Sequence, residues 1–213
     1  MHMKIITITI LLLLLLAACT TAKIPAAGTA DEPQANADAA RVVPDCGLEP
    51  IKVPTMPRVI PGYTELDRAT GLHMTGTVQV IDFPSYRLKV TGLVEQPLSL
   101  HYDELRCLPK VTASPLLVCR GFFEDKASWS GVPIAEILKL ARLLPEAKHV
   151  SLISKDGYTS TFDLDDALKP ENFLAYELEG QPIPVLHGFP LRAVFPKKEG
   201  NSWVKWLVGI NVF

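Results

Sequence analysis

From residue 86 onward the apolar residues of this chain fall into short runs broken by Pro and Gly, and strands never alternate with long helices. That pattern excludes a doubly wound parallel sheet and predicts an α+β domain, mixed and mainly β. Residues 86–91 alternate polar with apolar or aromatic side chains, the period of a half-buried strand, and Gly92 ends the run. Ser99 is expected to cap a short helix that runs through Leu105. Residues 111–119 are β-rich with Pro115 inside, which predicts an edge or a bulge and leaves Cys119 at a strand end beside Gly121. Pro133 opens the strongest helical pattern, with Ile134, Ile137, Leu138 and Ala141 on one face and Pro145 beyond its end. Residues 149–154 and 158–162 read as strands joined by the turn pair Asp156-Gly157. Asp163 is expected to cap a further short helix, with Asp166 as its capping-box partner. The apolar run 173–178 ends at a Glu179-Gly180 turn, and strands are predicted over 191–195 and 203–212, separated by a loop holding Lys198, Gly200 and Asn201.

The first residues belong to a different class. Lys4 precedes an apolar run from Ile5 to Leu16, and small residues then lead to Cys19. This is the pattern of an export signal rather than of a folded element. The order Leu16-Ala17-Ala18-Cys19 resembles the bacterial lipobox, which implies cleavage after residue 18 and lipidation of Cys19. Residues 19–43 are rich in Ala, Thr, Pro, Asp and Gln without an apolar period and read as a flexible tether on a lipid anchor. The resulting expectation is an exported protein, held to the cell-envelope membrane on its periplasmic or extracytoplasmic face, with one domain over 44–213. Prolines recur from Pro44 to Pro61, so the first part of that domain, 44–75, is expected to be an extended arm that covers the fold rather than builds it.

Loss of Lys4 with the signal shifts the formal charge from −2 to −3, which is no nucleic-acid footprint. Of the four cysteines, assigning Cys19 to lipid leaves Cys46, Cys107 and Cys119, and three cannot all pair. Either Cys46 and Cys107 form a disulfide that pins the arm, or they are small buried apolar residues. The signal has no twin arginine, so export of an already folded protein is unsupported.

Four blocks in the folded part resemble the sulfite oxidase-type molybdopterin-binding domain. They are Val118-Cys119-Arg-Gly-Phe-Phe-Glu-Asp, Trp129-Ser-Gly-Val-Pro-Ile, Asp156-Gly-Tyr, and a long C-terminal run. That run holds Leu174-Ala-Tyr, Gly180-Gln-Pro-Ile-Pro, His187-Gly-Phe-Pro-Leu-Arg192, Phe195-Pro, Gly200 and Val204-Lys-Trp206. The blocks keep the family's order from Leu98 to Val212.

The resemblance implies a molybdenum–molybdopterin cofactor with Cys119 as metal ligand and catalytic residue. Thiolate sulfur suits such a metal, which takes two further sulfurs from the pterin dithiolene. It also implies cofactor contacts from Ser154, His187, Arg192, Trp203, Val204 and Lys205. Arg192 offers a bidentate guanidinium to the pterin phosphate, Lys205 a second cation, and Trp203 and Val204 their backbone. Trp129, Trp203 and Trp206 are expected either to wall the pocket or to fill core. The expected activity is two-electron oxygen-atom transfer on a small substrate. Electrons would pass to or from a separate protein such as a cytochrome, because no Cys-x-x-Cys-His haem motif or iron–sulfur cysteine array is present. Arg120, Lys126 and His187 are the candidates to steer an anionic substrate.

The chain departs from the sulfite oxidases after Cys119, where Arg120-Gly121-Phe122-Phe123 stands in place of Gly-Asn-Arg-Arg. It also lacks the Val-Glu-Ala-Trp of the periplasmic methionine sulfoxide reductases, so no particular substrate is implied. Two alternatives belong to other classes. One is a cofactor-free binding or structural lipoprotein that retains the fold. The other is a hydrolase or zinc enzyme, which the absence of Gly-x-Ser-x-Gly, His-Glu-x-x-His and paired Cys-x-x-Cys motifs disfavours. A free Cys119 facing Arg192 and Lys205 separates the enzyme from the binding protein; a Cys119 tied to Cys46 or Cys107 would point the other way.

Overall fold

A computed structural model describes residues 43–213; the export signal, Cys19 and the tether as far as residue 42 lie outside the described residues. The domain is α+β and mainly β, as expected, and is built on two five-stranded sheets. Its elements run β1 (Leu66–Asp67), β2 (Leu72–His73), β3 (Leu88–Gly92), β4 (Leu98–Leu100), α1 (Tyr102–Arg106), β5 (Val111–Ala113) and β6 (Leu116–Cys119). They continue as β7 (Phe123–Lys126), β8 (Trp129–Pro133), α2 (Ile134–Ala141), β9 (His149–Ser154), β10 (Thr159–Asp163) and α3 (Leu164–Ala167). The last are β11 (Phe173–Leu178), β12 (Gln181–Pro182), β13 (Arg192–Val194) and β14 (Leu207–Val212). Among the described residues no helix is long and apolar enough to cross a membrane.

One sheet has the order β10-β9-β14-β3-β4, with β14 and β3 parallel and the other neighbours antiparallel. The other runs β12-β11-β8-β5, and β13 also pairs with β11. In this second sheet β8 and β11 are buried along almost their whole length, so their side chains show no inside–outside alternation, and Ser130 is buried within β8. Helix α2 buries Ile134, Ile137, Leu138 and Ala141 completely, the stripe its sequence presents. It starts after Pro133, whose φ is already suited to helix entry, and stops at Arg142, which takes a left-handed φ of 54°.

Several local expectations are corrected. Ser99 lies in β4, paired with Lys89, because Leu98 and Leu100 both point into the core with strand period. Helix α1 instead begins after His101, whose backbone N–H donates to the Glu104 carboxylate at 2.8 Å. Asp163 precedes α3 without a side-chain cap; its carboxylate lies 3.2 Å from His149 Nδ1. Asp166 is bound by Lys169 and Lys198, each at 2.5 Å, rather than by the helix end. The last strand starts at Leu207 and not at 203, because Trp206 adopts a φ of 50° that breaks the extended run.

The Pro-rich arm has no regular element over 44–61, and Cys46 and Cys107 form a disulfide with Cα atoms 5.7 Å apart. The arm does more than cover the fold. Within it, β1 and β2, each two residues long, make a hairpin whose four-residue loop follows Asp67, and the Asp67 carboxylate accepts from the Ala69 N–H and the Thr70 hydroxyl. From this hairpin to Gly76 the arm contributes walls and hydrogen-bond partners to the site.

Candidate functional site

Cys119 ends β6 in a separate two-stranded hairpin with β7. Gly121, at φ 80°, makes the tight turn, and the Phe122 N–H closes it on the Cys119 carbonyl at 3.0 Å. Cys119 is the free cysteine among the described residues, and its sulfur is half-buried. It sits where two cavities meet.

The outer cavity is a cleft of about 440 Å³ whose lining includes Cys119, Ser154, Trp203, Val204 and Lys205. The inner one is only about 30 Å³ and is lined by Cys119 together with Asp125, His187 and Arg192. Trp203 and Lys205 border both. The other six residues expected from sequence therefore share these two cavities with the Cys119 sulfur, four along the cleft and two, His187 and Arg192, behind it.

Arg192 is 4% exposed at the start of β13, with its guanidinium 4.4 Å from the ring centre of Trp129 and 5.6 Å from that of Trp203. Its Nη1 donates to the His187 carbonyl at 3.1 Å, while its Nε has no partner. Burial pulls its pKa down to about 9, which leaves it cationic at neutral pH. Lys205 donates to the Thr75 carbonyl and, at 3.2 Å, to that of Leu186, and it lies 4.5 Å from the Trp206 ring centre. Burial first, and then the charge of Arg192, pull the Lys205 pKa down to about 7. Among the described residues neither cation forms a salt bridge with a carboxylate. Ser154, at the end of β9, is also buried, and its hydroxyl has no partner. Such groups cost stability unless something satisfies them.

His187 is 1% exposed and lies in a 3-10 turn over Val185–His187. Its Nε2 is 2.9 Å from both Asp67 Oδ2 and Thr70 Oγ1. Burial lowers its pKa to about 4, so the ring is neutral at pH 7. Burial alone would raise the Asp67 carboxyl, but hydrogen bonds from His187, the Ala69 N–H and Thr70 overcome this and hold it below its ordinary value. An ionised Asp67 requires the proton of the neutral ring to be on Nε2, which leaves Nδ1 as an acceptor. Trp203 is anchored through Nε1 to the Phe195 carbonyl at 2.9 Å, and the Val204 carbonyl accepts from the Ala193 N–H at 2.8 Å.

The set expected to steer an anion is not assembled. Arg120 is paired with Glu199 at 2.8 Å, Lys126 is exposed on β7 outside the cleft lining, and His187 is buried and neutral. Sequence reasoning also missed Asp125, which accepts from His73 through both its backbone N–H, at 2.8 Å, and its Nδ1, at 2.7 Å. Burial and then the Asp125 charge push the Cys119 thiol above its ordinary pKa, against the pull of Arg192. Thr75 and Gly200 are further site residues. A Cβ at Gly200 would come within 3.0 Å of the Cys119 sulfur, so glycine there holds the thiol in place. Gly200 and Asp125 carried a signal, through their places in the C-terminal run and at the end of the first block, and Thr75 carried none.

Comparison with known proteins matches residues 75–213 to the family described as "Oxidoreductase molybdopterin binding domain". The uncharacterised oxidoreductase YuiH of Bacillus subtilis is 32% identical, over 72% of this chain and 78% of its own length. Sulfite oxidase of Arabidopsis thaliana is also 32% identical, but only 44% of its length is covered. Among solved structures, the sulfane dehydrogenase SoxCD of Paracoccus pantotrophus superposes with a TM-score of 0.60 at 25% identity, covering 66% of this chain and 41% of that one.

Proposed function

The chain belongs to the oxidoreductase molybdopterin binding domain family, and from that premise we propose that its cleft holds a molybdenum–molybdopterin cofactor with Cys119 as the protein's ligand to the metal. The observation that carries this reading is the buried Arg192 and the half-buried Lys205, both without carboxylate partners, beside an unpartnered Ser154 hydroxyl and a free thiol. A phosphate-bearing, sulfur-rich ligand satisfies all four. Among the described residues no three His, Cys, Asp or Glu side chains gather as a metal site. A metal bound at Cys119 therefore has to bring most of its own ligands, as a dithiolene-bound metal does.

When bound, the cofactor supplies two-electron oxygen-atom transfer. The chain's residues bind and orient it. Arg192 and Lys205 neutralise the phosphate, Ser154 donates or accepts a hydrogen bond, and His187 offers a lone pair held in orientation by Asp67. The backbone of Trp203 and Val204 completes the cradle, and Trp129, Trp203 and Trp206 keep it dry. Electrons pass one at a time to or from a separate redox protein such as a cytochrome. An export signal and acylation at Cys19 would place this chemistry on the periplasmic or extracytoplasmic face of a cell-envelope membrane; metabolic labelling with palmitate, compared with a Cys19→Ala variant, tests the anchor directly. The cofactor reading is tested by elemental analysis of protein purified from its own membrane. Near-stoichiometric molybdenum that disappears in Cys119→Ser is the expected result; no metal in either sample would refute it in favour of a cofactor-free binding lipoprotein.

A further inference from the structure

At the mouth of the cleft the charges cancel. Its lining carries two cations, Arg120 and Lys205, against two carboxylates, Asp156 and Glu199. Arg120 is the cation open to solvent, with its side chain 81% exposed and its Nε 2.8 Å from Glu199 Oε1. So exposed a pair stabilises the fold little, but the two charges offset each other's field beyond their own separation. Lys205 and the deeper Arg192 are the cations that the proposed reading assigns to the cofactor phosphate. Among the lining residues no cation free of a carboxylate is then left to replace the hydration shell of an entering oxyanion, and Glu199 and Asp156 repel it.

The rim is aromatic instead. Phe122 is 71% exposed, Tyr63 69% and Tyr158 48%, and all three border the cleft. The Tyr158 hydroxyl donates to the Asn201 carbonyl at 2.9 Å, which fixes its ring beside the entrance. Large apolar side chains exposed together at a cleft mouth suit the apolar part of a ligand.

We propose that the oxo substrate of this site is uncharged and carries an apolar substituent that rests on Phe122 and Tyr158, and that the Arg120–Glu199 pair sets this preference against inorganic oxyanions. The proposal rests on the cofactor reading above. In the reducing direction the X=O bond breaks, X keeps the lone pair, and the oxygen leaves as water with two protons. The two electrons come singly from the redox partner protein; the oxidising direction runs the same balance backward.

The test uses the full chain and its Glu199→Gln and Phe122→Ala variants, each first assayed for molybdenum. Rates are measured at low and high salt with reduced methyl viologen and either methyl phenyl sulfoxide or nitrate, and with ferricyanide and sulfite. The wild-type kcat/KM for the sulfoxide is expected to exceed those for the anions by at least about tenfold and to change less than about twofold with salt. Glu199→Gln is expected to lower the KM for an anion by about fivefold, in a salt-dependent way. Phe122→Ala is expected to raise the KM for the sulfoxide by about fivefold and leave that for nitrate unmoved. Molybdenum-loaded protein that ignores the sulfoxide, or prefers the anions with rates that fall as salt rises, would overturn the substrate proposal and leave the cofactor reading standing. Molybdenum-free protein would overturn both.

Discussion

Replacing Gly200 with alanine tests whether the Cys119 sulfur is held by packing. The added Cβ would fall within 3.0 Å of that sulfur, 3.3 Å from Leu117 Cδ2 and 3.6 Å from the Val118 carbonyl oxygen. Gly200 does not occupy a positive φ, so its backbone accepts alanine and the conflict is one of volume. Relief comes by turning Cys119 off its rotamer or by parting the 200–202 turn from β6, at the roughly 1–3 kcal/mol typical of overpacking. Stiffening of the unfolded chain returns about 0.4–1 kcal/mol. The net loss is about 1–2 kcal/mol, or about 2–8 °C in Tm for a domain of this size. In a Cys119→Ala background the opposing sulfur is gone, and the same substitution should be neutral or stabilising by up to about 1 kcal/mol. Denaturant unfolding of the four proteins gives a coupling of about 1–3 kcal/mol if the reasoning holds. Molybdenum content and the labelling rate of Cys119 should both fall in the single variant. An equal effect of Gly200→Ala in the two backgrounds, or none in either, would refute the argument that this glycine positions the thiol.

Three further outcomes follow from the same geometry. Arg192→Met should change the stability of cofactor-free protein by less than about 1–2 kcal/mol, because it removes a buried cation that lacks a carboxylate, yet it should abolish molybdenum retention; retention would show that the guanidinium is structural. The His187 pKa is depressed to about 4, so between pH 6.5 and 4 the unfolded chain takes up a proton that the folded one does not. Stability is therefore lost as pH falls through that window, and His187→Gln should flatten the fall in a Tm series from pH 7 to 4; a parallel profile would sink the assignment. The disulfide joins positions 61 residues apart, and reducing it should lower stability by up to about 4 kcal/mol in the loop-entropy treatment. Unfolding with and without dithiothreitol, beside a Cys46→Ser/Cys107→Ser variant, measures this; unchanged midpoints would mean that the arm is held by other contacts.

The elements legible in the sequence are those whose burial follows a local period. Helix α2 and strand β9 were readable because a stripe and an alternation each lie between recognisable turn residues, whereas only the turn that ends β11 was read. The hairpin β1–β2 was not, since strands of two residues have no period to detect. Misplacement of the helix start at Ser99 has a similar cause: Leu98 and Leu100 satisfy both a strand alternation and a helix entry, and pairing with β3, which is non-local, decides between them. Where the resemblance supplied the site, it picked out residues that line the two cavities, Cys119, Ser154, His187, Arg192, Trp203, Val204 and Lys205. It gave no role to Asp67 and Thr75, which hold His187 and Lys205 from the arm, or to His73 and Asp125, which bind each other at the inner cavity.

Charge gives the clearest instance of what only the folded chain reveals. A formal net charge of −2 says nothing of where charges are unbalanced. On the surface, lysines find carboxylates readily, as Lys110 does with Glu177, Lys197 with Glu171 and Lys198 with Asp166. Those exposed pairs contribute little, and losing one would scarcely matter. Arg192 and Lys205 invert this order: they are the cations whose burial costs most, and they have aromatic faces and carbonyls around them instead of carboxylates. Nothing in folding alone favours that arrangement, because a buried carboxylate or an apolar replacement would stabilise the domain better. The arrangement becomes economical only when an anion enters from outside, and it stands within one cavity of the free thiol. That juxtaposition ties the stability of the domain to its ligand, so cofactor loading should raise the unfolding temperature of the wild type and leave that of Arg192→Met where it was.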